Sequence, residues 1–322
     1  MQRLRLSDEP DSPRLAQLPP TPPPTTCELI ACLSSATAHC GVHASYSGLL
    51  CASGAAFMLC VSPSGFRRED AIAGRWRLLP SALIEAGFDS AQIVEDPPDP
   101  LALAASELSE SRAVPVLGCF PEAPWRAGLA VGILDAKGLW AILDASGRVH
   151  SLAARASLAI TLGPTSAPSR PSLYALLRRC LWSWEGVEAN EGPAAWTAWL
   201  KLLGNSALAD PTALAAEVSA HDFLYETLLD ARTHAATWLD DRADEADGNT
   251  ADWLASAADT LREMTALLES RDPALHQPNV AASFADSTWR AYLADLLGQA
   301  AELDLQARHA LACALDADYP PA

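Results

Sequence analysis

The chain has 322 residues, half of them hydrophobic, enough for two ordinary domains with sizeable cores. Its formal charge of −18 is uneven: residues 1–165 hold 12 basic against 16 acidic side chains, and residues 166–322 hold 10 against 24. A C-terminal half that acidic argues against nucleic acid or an anionic membrane surface as a partner and reads as a solvated helical surface. Residues 1–24 read as a flexible Pro-rich tail, LPPTPPP favouring polyproline II. The opening MQRLRLSDEPDSPRLAQ lacks the apolar run of a signal peptide, and no run reaches the length of a membrane span. The eight cysteines include no C-x-x-C pair. They are expected to be reduced thiols of a cytoplasmic protein.

Thr26 is a fair N-cap, which predicts Cys27 in the first turn of a helix with Leu29, Ile30, Leu33 and Ala36 on its apolar face. The backbone N–H groups and positive dipole end there favour a thiolate. His39-Cys40-Gly41 closes that helix, with glycine as the C′ residue. A short second helix is expected in SYSGLL, and a strand in AAFMLCV (55–61). A helix follows over 75–88, then a strand at 91–95 and a helix over 101–110. VPVLGCF (114–120) reads as a buried strand, and GLAVGILD (128–135) with LWAILD (139–144) as a hairpin around AKG. RVHSL and SLAITLG supply further strand candidates.

GPTSAPSRPS marks the clearest boundary. Beyond it strand signals stop, and helices are expected at 172–184, 193–203, 211–240, 250–270 and 284–315, an all-α bundle. The expected organisation is therefore a tail over 1–24, an α+β domain over 25–163, a linker over 164–171 and a helical domain over 172–322. The tryptophans of this half, Trp182, Trp184, Trp196 and Trp199 among them, read as packing residues. Leu214, Val218, His221, Tyr225 and Leu228 share one helix face, which makes His221 a core histidine. Glu226, Asp230 and His234 repeat every four residues, but the paired Glu-x-x-His motifs of a di-metal bundle are absent, and no metal or other cofactor is expected.

The first half resembles the N-terminal domain of the butirosin biosynthesis protein H family, relatives of the papain-like cysteine peptidases. The residues that carry the resemblance are Cys27, Ala31, His39-Cys40-Gly41, Ser45, GLLCASGAAF, Gly74-Arg75, VPVLGCF, AVGILD and Asp144. The resemblance implies a papain-like domain, a helix packed on an antiparallel sheet, followed by an α-helical domain. It also implies a bacterial biosynthetic enzyme that moves an aminoacyl group from a carrier-protein thioester to an amine, or a related amide or thioester hydrolase. Cys27 would be the nucleophile and Asp144 the residue that orients the catalytic histidine. Trp125-Arg126-Ala127-Gly128 stands where the family histidine should be. Arg126, a candidate for substrate binding, could stabilise a thiolate but cannot relay a proton.

Among the other imidazoles, His39, His43 and His150, His150 follows Asp144 across a Gly147 turn and could fold back to serve as the base. Gly54 could let a substrate carbonyl approach, and Arg75 belongs with Arg67, Arg68 and Arg77 to the densest basic group available for an acidic carrier protein. The expected partner is an acyl or peptide substrate, carrier-bound or free, and a homodimer stays open. A catalytically inactive relative that binds a peptide, an acyl molecule or a partner enzyme is the rival reading.

Overall fold

The computed structural model describes residues 15–22, 25–134, 138–169, 171–204, 211–270 and 284–318. It combines an antiparallel sheet with many helices, an α+β chain that divides into two compact units. One comprises residues 1–49 and 79–170, the other 50–78 and 171–322. The break after 170 falls at the Pro/Ser-rich boundary, whereas the segment 50–78, expected in the α+β domain, groups with the helices.

In the first unit, α1 (Glu28–His39) buries Leu29, Ile30, Leu33 and Ala36 as its spacing predicts. It ends in a Schellman motif: Val42 N–H reaches Thr37 O at 2.9 Å, Gly41 N–H reaches Ala38 O at 3.0 Å, and Gly41 takes φ +78°. The helix α2 (Tyr46–Ala52) follows, then α3 (Leu79–Ala86), which starts later than its sequence suggests. The strand β1 (Ala91–Glu95) leads to α4 (Pro100–Ser109), whose Asp99 cap accepts from Ala102 N–H at 2.9 Å with Pro100 behind it.

The strands β2 (Val114–Leu117), β3 (Ala127–Ile133), β4 (Leu139–Leu143), β5 (Val149–Ala153) and β6 (Leu158–Leu162) complete the sheet. Its order is β1-β6-β2-β3-β4-β5, with every neighbouring pair antiparallel. Both α1 and α4 pack on the central strands β2 and β3, so these carry unbroken buried runs, while the edge strand β5 is only partly covered. The AKG turn of the hairpin lies mostly outside the described residues, as do residues 1–14 and 23–24 of the tail. Residues 15–22 are not a loose tail. Leu15 is buried and its N–H donates to Val131 O at 3.1 Å, while Ser35 Oγ donates to Pro20 O.

In the second unit the strand expected at 55–61 does not form. Gly54 turns at φ +77° into a 3-10 helix, Ala55–Phe57, and only Cys60 makes an isolated bridge, to Glu191. Other partners take the backbone groups a neighbouring strand would have satisfied. Arg75 donates to Ala55 O and Met58 O, Val61 N–H reaches Asn190 O, and Gly192 N–H reaches Leu59 O. An unbroken apolar run marks burial, and burial against helices satisfies it as well as a sheet does. The helices are α5 (Leu173–Glu185), α6 (Pro193–Gly204), α7 (Pro211–Glu245), α8 (Gly248–Glu269) and α9 (Ser287–Asp318). α8 packs against α7 and α9, and α9 also meets α5 and α6. Among the described residues, no helix is long and apolar enough to cross a membrane.

Candidate functional site around Asp144 and His150

Cys27 occupies the cap position itself rather than the first turn. It has φ −96° and ψ 79°, makes no side-chain cap bond, and its carbonyl receives Ala31 N–H at 3.1 Å. The shift arises because Glu28, not Cys27, is the first residue with helical dihedrals. Cys27 is only 2% exposed. The Glu28 carboxylate beside it receives Arg126 Nε at 3.1 and 3.3 Å and Ala127 N–H at 3.1 Å. The guanidinium of Arg126 in turn lies 4.7 Å from the centre of the Phe120 ring. Arg126 is thus a cation fixed to the residue that follows Cys27.

Asp144 ends β4 and anchors the turn into β5. Its Oδ1 accepts Ser146 N–H at 2.9 Å, Ser146 Oγ–H at 2.6 Å and Arg148 N–H at 2.9 Å. Its Oδ2 lies 2.8 Å from His150 Nε2. The turn closes through Gly147 at φ +78°, and β4–β5 register sets His150 opposite Ile142. Burial by itself would raise the Asp144 carboxyl. The bonds from Ser146, His150 and the Arg148 backbone outweigh it and bring the pKa down to about 2. Asp144 is therefore ionised and accepts only, so His150 Nε2 carries a proton and donates it. In the neutral ring Nδ1 is then the basic nitrogen. The His150 side chain is 35% exposed against 6% for Asp144, and its ring stands edge-on to Phe120 at 5.5 Å.

Phe120 thus touches both Arg126 and His150, and Arg155 fixes its loop by donating to Gly118 O at 3.1 Å and Phe120 O at 3.2 Å. Cys32 is fully buried. Burial lifts its pKa, and the charges of Glu28, Cys119, Cys27 and Asp144 lift it further. Cys119 is pushed up to about 12 by burial and is an inert thiol. His39 sits at the far end of α1, eleven residues beyond Glu28 and about 17 Å along the axis. His150 is the imidazole that joins Asp144. Glu28, Phe120 and Arg155 escape sequence reading, because an acid in a first turn, a strand-end phenylalanine and a loop arginine are all common.

Two of the suggested substrate-binding residues belong to the second unit and have structural partners there. Gly54 has no room for a side chain, since a Cβ would come within 2.3 Å of Ser183 Oγ. Arg75 is buried and donates to Ala55 O at 2.8 Å and Met58 O at 3.3 Å. The rest of the basic group is engaged too. Arg67 bonds Ser64, Arg68 meets Ser219 and Phe223, and Arg77 pairs with Glu191 at 2.8 Å. His221 is entirely buried amid Phe66, Trp199, Tyr225 and Phe284. His234 Nε2 stands 3.6 Å from Asp230 Oδ1, and no three metal-ligating groups converge among the described residues. No protein-family model matches the sequence, and no curated protein is significantly similar to it.

Proposed function

We propose that the first unit is a papain-like domain of the butirosin biosynthesis protein H kind, a cysteine-dependent acyl or aminoacyl transferase or a related amide or thioester hydrolase. In this reading His150 stands in for the absent strand-start histidine. Cys27 Sγ attacks the acyl carbonyl while His150 Nδ1 takes the thiol proton. The tetrahedral adduct expels the thiol, alcohol or amine, which receives that proton from His150. The acyl-cysteine then passes to an incoming amine, or to water, by the same proton relay in reverse. Asp144 holds the ring by its Nε2 side and stabilises the transient imidazolium. The observation that carries the reading is the 2.8 Å Asp144–His150 pair, with the ring 35% exposed and no hydrogen-bond partner at Nδ1 among the described residues.

A second reading, an inactive relative that binds an acyl or peptide ligand, is favoured by the 2% exposure of Cys27 and by the Arg126–Glu28 pair beside it. Timed alkylation at about pH 6 with residue-level mass spectrometry separates the two. Transferase chemistry requires Cys27 to label ahead of Cys40 and Cys313, the two half-buried thiols, and to slow in His150→Ala. Labelling of Cys27 that is no faster than theirs, and indifferent to His150, establishes the inactive relative.

A further inference from the structure

The second unit holds an open pocket of about 250 Å³ formed by α5, α6 and α9. Trp184, Pro193 and Trp196 wall one side, and Ala301, Asp304, Leu305 and Arg308 the other. The α9 residues follow i, i+3, i+4, i+7 spacing and so present a single helix face. Both indole N–H groups donate to the same oxygen, Asp304 Oδ2, at 2.9 and 3.0 Å. Asp304 Oδ1 receives Arg232 Nε at 2.7 Å, and Arg232, wholly buried, lies 5.2 Å from the Trp184 ring centre. The two indoles are therefore fixed by their polar edges, and their apolar surfaces wall a cavity shaped before any ligand arrives.

We infer that this pocket binds a small, uncharged, planar aromatic molecule of about bicyclic size. Three features select that class. The Asp304 carboxylate is paired with Arg232 and both its oxygens already accept hydrogen bonds, so it offers little to a ligand cation or donor. The rim carries one acid, Glu302, and one base, Arg308, so neither sign of ligand charge is preferred. A dry cavity of ~150 Å³ accommodates benzene, so the larger volume here suits two fused rings. Leu305, 55% exposed although it lines the pocket, is the apolar surface such a ligand would cover. The inference is independent of Cys27 chemistry.

Indole is the probe. In a titration of the full chain followed by the ¹⁵N–¹H resonances of the tryptophan side chains, the Trp184 and Trp196 Nε1–H peaks, assigned with Trp→Phe variants, shift saturably with indole. Leu305→Arg, at an exposed position that leaves the circular dichroism spectrum unchanged, weakens binding about tenfold by removing apolar contact and crowding the mouth. Absence of saturation up to the solubility limit of indole overturns the inference, as does saturation that Leu305→Arg does not alter. Binding of indole-3-acetate or tryptamine more than about tenfold tighter than indole would overturn the uncharged class.

Discussion

Each unit contains a carboxylate whose two oxygens are both engaged, yet the two are built for different ends. Asp304 is paired with Arg232, a guanidinium that is 0% exposed. Asp144 is paired with His150, whose ring is 35% exposed. The first arrangement fixes charge inside a helical core and can only hold neighbours in place. The second offers solvent a nitrogen that can take up and return a proton. The partner cation and its exposure, more than the carboxylate, distinguish the two pairs.

The contrast is broken most severely at the sealed pair. Asp304→Ala leaves Arg232 charged and uncompensated and releases two indole N–H groups, so it should cost about 3–5 kcal/mol in chemical denaturation. The double variant Arg232→Met/Asp304→Leu should recover the part of that loss owed to the unpaired charge, because an apolar pair needs no charge compensation, but not the part owed to the two indole N–H groups. A single variant as stable as the native chain would show that Asp304 does not bear on the helical core.

A smaller effect is expected at the open pair. Asp144→Asn removes the ionised acceptor of three donor residues and should lower stability by about 2 kcal/mol at neutral pH. The sign follows from a folded pKa brought down to about 2: the stabilisation is complete above the ordinary aspartate range and disappears as pH falls through that range toward 2. Native and Asp144→Asn proteins should therefore converge in stability between about pH 4 and pH 2. Equal pH slopes for the two would remove Asp144 as the source. The same substitution should also slow Cys27 alkylation if His150 is its base, an effect that Asp304 variants should not share.

The open pair was within reach of the sequence and the sealed one was not. Asp144 and His150 are six residues apart across a glycine turn, so local geometry alone brings them together. Arg232 and Asp304 come from different long helices, each with other charged residues within a turn, Asp230 near the first and Glu302 near the second, so that both read as solvated surface. Nothing local says that these two turn inward. The Cys27 helix, its Gly41 end, the β3–β4 hairpin and the C-terminal helices follow from periodicity and turn chemistry. The 55–61 segment does not, because an apolar run of seven carries no period to tell strand from buried coil. The docking of residues 15–22 was hidden for a related reason: proline-rich composition describes the backbone it prefers and is silent on what that backbone lies against.

The smallest expected effect concerns the Arg126–Glu28 pair. Arg126 and Glu28 are 34% and 22% exposed, so water screens their attraction, and the coupling in a Glu28→Gln/Arg126→Met double-mutant cycle should be only about 0.5 kcal/mol of stability. Reactivity should respond more than stability does. Arg126→Met leaves the Glu28 carboxylate, still held by Ala127 N–H, as an uncompensated negative charge beside Cys27. That charge disfavours a thiolate, so Cys27 alkylation should slow. Glu28→Gln removes the charge, frees the Arg126 guanidinium, and should speed it. Opposite changes in rate from two substitutions of nearly equal stability cost would mark the pair as an electrostatic control on the sulfur, whereas parallel changes would reduce it to a strut between α1 and β3.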